Sequence, residues 1–139
     1  MVNKMSKKYN LGTISDESSG VYSMDEVCVG AWMGKPLYRR VYKSVTPNKS
    51  GGYDTIDISD IDYDYIQIKN YNIQSQYVLV GPGCEFTGLT INVWIRNKDV
   101  VDNPNQIVMQ ISGTNTSSVS VYLSCPYYVI IEYTKQSDI

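Results

Sequence analysis

From Tyr22 onward, apolar and polar residues alternate along most of the chain with a period of two. In residues 89–96, Leu89, Ile91, Val93 and Ile95 point one way and Thr90, Asn92, Trp94 and Arg96 the other. That is the pattern of a half-buried antiparallel strand. Val119, Val121 and Leu123 alternate with Ser120, Tyr122 and Ser124 in the same manner, which predicts a strand over 119–125. Val129, Ile131 and Tyr133 continue the rhythm after Pro126, which cannot donate to a ladder and so belongs at a strand end or bend. Further strands are expected at 55–58, 65–69, 77–80, 107–112 and 127–134. The apolar parity changes between Ile58 and Ile61, which places a turn near Ser59 and Asp60.

Residues 26–32 and 37–43 flank Met33-Gly34-Lys35-Pro36 and read as a β-hairpin. Gly34 supplies a permissive backbone and Pro36 marks the turn exit. Tyr38 and Tyr42 fall on one face of the second arm, Arg39 and Val41 on the other. Trp32 and Tyr38 are expected to anchor a core. Other turns are expected at 47–52, 81–83, 103–104 and 113–118. The expectation is an all-β protein, an antiparallel β-sandwich of about eight or nine strands. Residues 1–23 are polar and rich in Ser, Gly and Lys; they read as a flexible or extended N-terminal arm preceding a module over 24–139.

Composition points the same way. Val, Ile, Tyr and Thr together make 50 of the 139 residues, whereas Ala, Leu and Met make 11. The first group packs on a pleated surface, and the second favours helix. A net charge of −2 excludes a basic nucleic-acid footprint. There is no histidine, so the usual general base, triad partner and zinc ligand are missing together. Three widely spaced cysteines, Cys28, Cys84 and Cys125, form no metal or redox motif; Cys28 and Cys125 read as small apolar fillers. No run approaches the length of a membrane span, and the basic N-terminus has no apolar segment behind it, so neither a membrane nor a secretory signal is expected. No cofactor is implied.

The acidic run Asp54, Asp57, Asp60, Asp62, Asp64 begins like a calcium loop at Asp60-x-Asp62-x-Asp64. Tyr65 stands where that loop needs glycine and Tyr71 where it needs glutamate, so no metal site is assigned. The run reads as a solvated turn whose charges discourage strand-to-strand aggregation. A carboxylate pair of the kind that hydrolyses sugars needs two groups across a cleft, and one short wet segment does not supply it. The remaining chemistry is tyrosine, thirteen of sixteen aromatic residues. A phenol offers a flat apolar face and a hydroxyl, which suits binding of sugars and proteins. Trp94, Arg96 and Tyr122 lie on the polar faces of their predicted strands. They are the candidate binding residues; the alternative is ordinary packing at a sheet edge or beneath a loop. No catalytic residue is assigned.

The segment Val21-Tyr22-Ser23-Met24-Asp25-Glu26-Val27-Cys28-Val29-Gly30-Ala31-Trp32-Met33-Gly34-Lys35-Pro36-Leu37-Tyr38-Arg39-Arg40 resembles a pattern, Tyr-Ser-x-x-Glu-Val-x-x-Gly-x-Trp-x-x-Gly-Lys-Pro-x-Tyr-Arg-Lys, of tail-associated proteins of bacteriophages and prophages of low-GC Gram-positive bacteria. There it opens a β-rich C-terminal module that often closes on Glu-Tyr-Thr-Lys, here Glu132-Tyr133-Thr134-Lys135. Met33-Gly34 is one residue shorter at the turn than the usual form. The resemblance implies a virion component, a tail-fibre or tail-tip module that is structural, host-attaching or both. It also implies a homotrimer, contacts with other tail proteins and a host cell-surface glycan as receptor. The alternative is a carbohydrate-binding β-sandwich of a bacterial surface or enzyme system. An enzyme, such as a cell-wall hydrolase, is the third reading.

Overall fold

The β-branched and aromatic runs extend into eight strands: β1 (Val27–Trp32), β2 (Lys35–Val45), β3 (Tyr53–Asp57), β4 (Tyr63–Gln74), β5 (Leu79–Val80), β6 (Leu89–Arg96), β7 (Gln106–Gly113) and β8 (Pro126–Lys135). They come from a computed structural model that describes residues 20–75, 79–80, 89–97, 105–113 and 119–138. The expectations for 1–19, for 77–78, for the turns at 81–83 and 103–104, for 114–118 and for Cys84 lie outside the described residues. Two sheets form, one in the order β1-β2-β8-β4-β5 and one in the order β3-β7-β6. The chain is therefore all-β and antiparallel, as a sandwich requires. Pro126 sits at the first position of β8, where its missing N–H costs no ladder bond.

One prediction fails. Residues 119–125 alternate as a strand would, yet Val119 and Ser120 are helical and Val121–Ser124 form a turn. Tyr122 N–H bonds Val119 O at 3.0 Å and Leu123 N–H bonds Ser120 O at 3.4 Å. These i→i+3 bonds replace the ladder. Residues just past β2 take up further backbone groups of the turn. Thr46 Oγ1 donates to Tyr122 O at 2.6 Å and accepts from Cys125 N–H at 2.8 Å, and Ser124 N–H reaches Pro47 O at 3.0 Å. Period two over seven residues cannot distinguish this turn from a strand once a neighbouring hydroxyl satisfies the backbone.

The chain divides into two compact units. The first comprises Met1–Val41, Asp62–Gln67 and Ile131–Ile139; the second comprises Tyr42–Ile61 and Ile68–Ile130. In the second, the core face of the three-stranded sheet carries Ile107, Met109 and Ile111, all fully buried. Tyr127 and Val129 of β8 and Ile73 of β4 are fully buried too. The turn expected near Ser59 and Asp60 is present, with Ile58 and Ile61 buried on either side of it. In the first unit Ile131 and Tyr133 are fully buried, but so is the polar Thr134, and Arg39 and Glu132 are almost completely withdrawn from water.

The first hairpin shows how local chemistry sets register. Trp32 pairs with Lys35, leaving Met33 and Gly34 as a two-residue loop. Their φ angles are 51° and 81°, so both central residues lie in the left-handed region that a type I′ turn demands. Glycine adopts it freely, whereas methionine does so against its Cβ. A bulge between Cys28 and Gly30 shifts the pairing farther along the hairpin. Pro36 lies inside β2, opposite Ala31, rather than beyond the turn. Met33 is 85% exposed, so its side chain gives no packing in return for the strain. Met33→Asn is therefore expected to stabilise the protein by about 0.5–1 kcal/mol. Gly34→Ala is expected to destabilise it by a similar or larger amount. Urea unfolding of both variants checks the pair of signs.

Candidate functional site

Two sequence segments that lie far apart meet in the first unit. Arg39 of β2 donates from Nε (3.0 Å) and Nη2 (2.8 Å) to Glu132 Oε2 of β8. Both side chains are more than nine-tenths buried, so each charge depends on the other. The segment before β1 closes over the pair. The Tyr22 ring lies 4.3 Å from the guanidinium, Arg39 Nη1 donates to Val21 O at 3.2 Å, and Val41 N–H bonds Ser23 O at 2.8 Å. Residues at the end of the expected N-terminal arm are thus hydrogen-bonded to β2.

Period two puts Tyr38 and Tyr133 on the opposite side of their strands from Arg39 and Glu132, and a second polar cluster forms around them. Lys135 Nζ sits 4.3 Å from the Tyr38 ring and 2.6 Å from Glu26 Oε2. Tyr133 donates its hydroxyl to Glu26 Oε1, and Tyr38 donates to Asp138 at 2.8 Å. Burial pushes the Glu26 carboxyl up, but Lys135 and Tyr133 outweigh it and hold the group below its ordinary value. Burial and the bond to Asp138 push the Tyr38 phenol up to about 12. Glu26, Tyr38 and Arg39 belong to the opening motif, and Glu132, Tyr133 and Lys135 to the closing one. These six residues bind the two segments together.

The candidate binding residues divide. Cross-strand partners share a face, and the register of β3, β7 and β6 puts Tyr53, Gln110 and Asn92 beside one another, with Thr55, Val108 and Trp94 in the next row and Asp57, Gln106 and Arg96 beyond. Trp94 and Arg96 thus lie together on the outer face of the three-stranded sheet. Trp94 meets the exposed Tyr53 edge-on, with ring centroids 6.1 Å apart, and Arg96 Nη1 reaches Gln106 Oε1 at 3.5 Å. Tyr122 does not join them: it is buried in the 119–124 turn at 5% exposure. The reason is the misread strand, since the alternation that assigned Tyr122 to a polar face applies only to extended backbone.

The acidic run is not a uniform solvated turn either. Asp54 lies on the core side of β3, where Tyr127 Oη donates to it at 2.6 Å and Ser44 Oγ at 2.7 Å. Burial, then the bond to Asp54, pushes the Tyr127 phenol far above its ordinary value. Asp57 accepts from Ser59, which holds its carboxyl low, and Asp64 pairs with Lys35 at 3.0 Å. Among the described residues, no three Cys, Asp or Glu side chains gather as a metal site. A cavity of about 660 Å³ in the second unit is lined by Gln74, Ser75, Ser120, Ser124 and Cys125 among others. Its lining carries no acid, and burial pushes the Cys125 thiol up, away from thiolate.

Trp32 and Tyr38, expected as core anchors, also separate. Tyr38 is half-buried against Tyr133, with centroids 5.9 Å apart. Trp32 is 43% exposed and stacks on Tyr65 instead, with centroids 4.6 Å apart and planes 13° from parallel. No periodicity signals that pairing, because the two residues stand on different strands.

Removing one member of the buried ion pair strands the other in a dry environment. Arg39→Met is expected to cost about 3–5 kcal/mol. Adding Glu132→Leu in the same chain is expected to recover most of that loss, since no charge is then buried alone. Denaturant unfolding of both variants makes the comparison. In the second unit, Tyr127→Phe removes one of the two hydroxyls that Asp54 accepts from and is expected to cost about 1–3 kcal/mol, again read from unfolding.

No protein-family model, curated protein or solved structure matches the chain.

Proposed function

We propose that this chain is a non-enzymatic component of a phage tail, a tail-fibre or tail-tip module that holds the assembly, attaches it to the host, or both. The observation that carries the reading is the meeting of the opening and closing motifs. Residues 21–40 and 132–135, which bear the resemblance to tail-associated modules, form one hydrogen-bonded framework through Arg39–Glu132, Lys135–Glu26 and Tyr133–Glu26. A framework of this kind is what a structural module needs.

The titratable groups support a role without turnover. General acids and bases work with pKa values near the operating pH. Tyr38, Tyr127 and Cys125 are pushed up, and Glu26 and Asp57 are pulled down. Every one of these shifts leads away from neutrality. What the surface offers instead is the outer face of β3, β7 and β6, where Tyr53 and Trp94 stand among Asn92, Gln106, Gln110 and Arg96. Aromatic rings flanked by amides suit a host glycan, which gives Trp94 and Arg96 an adhesive role. The same face favours, as the second reading, a carbohydrate-binding module of a bacterial surface or enzyme system.

Solution mass and glycan binding separate the two. A tail module is expected to be a homotrimer by light scattering and to bind host cells, with Trp94→Ala and Arg96→Ala each weakening attachment several-fold at unchanged trimer mass. A monomer that binds glycan through the same residues favours the second reading. Absence of binding to cells and to wall glycan removes the adhesive role, and full attachment in both variants removes this face from it.

A further inference from the structure

The geometry points to a second carbohydrate-contacting site, in the first unit, where the stacked Trp32–Tyr65 pair is a preformed ledge for one pyranose ring. The inference rests on the adhesive reading above but not on membership of a virion, and it uses none of the residues of the β3-β7-β6 face.

Trp32 closes β1 at the tip of the first hairpin and keeps 43% of its surface in water. The surface it withdraws from water anchors it, since the hydrophobic gain scales with that area, and the rest stays open at the hairpin tip. Tyr65 covers one broad face of the indole at 4.6 Å and 13°. A ring held nearly parallel on its neighbour has already lost its rotamer freedom, so a ligand on its other face need not order it. The rings also bring polar handles. Neither the Trp32 Nε1–H nor the Tyr65 hydroxyl has a partner among the described residues.

The charges beside the ledge add direction. Asp64 precedes Tyr65, and its side chain is 57% exposed. Lys35, the cross-strand partner of Trp32, fixes it through a 3.0 Å bond to Oδ2 and is itself tied to Lys135 O at 2.9 Å. Asp64 Oδ1 is left to accept from a ligand. A flat apolar face with an N–H donor and a phenol, linked through Lys35 to the anchored Asp64 carboxylate, matches a sugar ring, which has C–H groups on one face and hydroxyls at its rim. A proline-rich peptide is a poorer fit, because it docks across successive aromatic grooves and has no hydroxyl to donate to Asp64.

The chain has two tryptophans, Trp32 and Trp94, so a ¹H–¹⁵N spectrum of the intact protein carries two indole signals. Trp32→Phe assigns them. Titration with methyl glycosides of galactose, glucose and N-acetylglucosamine is expected to shift the Trp32 signal saturably with at least one of them. Asp64→Asn, which leaves the stacked rings intact, is expected to weaken that affinity about tenfold, the loss of a charge-assisted hydrogen bond of about 1.4 kcal/mol. A Trp32 signal unmoved by all three glycosides overturns the inference. So does a shift that Asp64→Asn leaves unchanged, or one produced only by a proline-rich peptide. If the Trp94 signal alone moves, this site is lost while the adhesive reading of the outer sheet face stands. If only the Trp32 signal moves, the reverse holds.

Discussion

A carboxylate withdrawn from water, wholly or in part, must find donors where it lies, and two such groups organise this chain. Glu132 sits mid-strand in β8 at 4% exposure, and Asp54 points from β3 toward the core. The cost of an unpaired buried charge runs to several kcal/mol, comparable with the whole stability of a small domain. Glu132 is therefore not free to vary on its own. Glu132 requires Arg39, whose guanidinium then has further donors to satisfy; Val21 O takes one and the Tyr22 ring covers its face. The placement of the segment before β1 follows from a charge on the last strand. In the second unit Asp54 requires Tyr127 and Ser44, which ties β3 to β8 and to the end of β2.

These requirements explain what could be read from the amino-acid order and what could not. Strand positions were legible because alternation has a physical cause that needs no partner: successive side chains leave opposite faces. Leu89 to Arg96 and the turn at Ser59-Asp60 fall where the pattern puts them. Alternation says which residues share a face but not which strands lie side by side. Arg39 and Glu132 are 93 positions apart, and each scores as a surface residue when taken alone. Asp54 looks like the start of a wet acidic run until the register of β3 against β7 turns it inward. Parity was the available signal, since Asp54 and Ile56 share a side while Tyr53, Thr55 and Asp57 share the other. The candidate site failed at Tyr122 because a polar tract with Thr46 nearby can satisfy a helical turn as well as a ladder satisfies a strand. Trp32 failed in the opposite sense: size and apolarity suggested burial, but at the tip of a two-residue hairpin it keeps 43% of its surface outside.

The same geometry separates framework from recognition. Glu26, Tyr38 and Arg39 of the opening segment and Glu132, Tyr133 and Lys135 of the closing one are spent on one another, through an ion pair, two bonds to Glu26 and a cation held against an aromatic ring. Side chains so committed have little capacity left for a ligand. A resemblance carried by such residues therefore speaks to how the module is built and is silent on what it holds. On the proposed reading, recognition falls to residues with unspent capacity, on the outer face of β3, β7 and β6 and at the tip of the first hairpin.

Shallow aromatic contacts have a consequence for affinity. One sugar ring on one indole, with a hydrogen bond or two, belongs in the millimolar range, about −4 kcal/mol. A single copy would release its ligand almost at once. In a particle carrying several copies, each further contact is intramolecular, and avidity rises by about 10²–10⁴ without any new chemistry in the site. An adhesive module thus gains from being repeated where a catalyst gains from a deep cleft. A hydrogen-bonded framework with exposed rings would suit the first need. Rigidity matters here because copies whose ledges moved independently would lose in ordering entropy what repetition supplies. On the adhesive reading proposed above, the buried pair that holds the strands together would serve binding without touching a ligand.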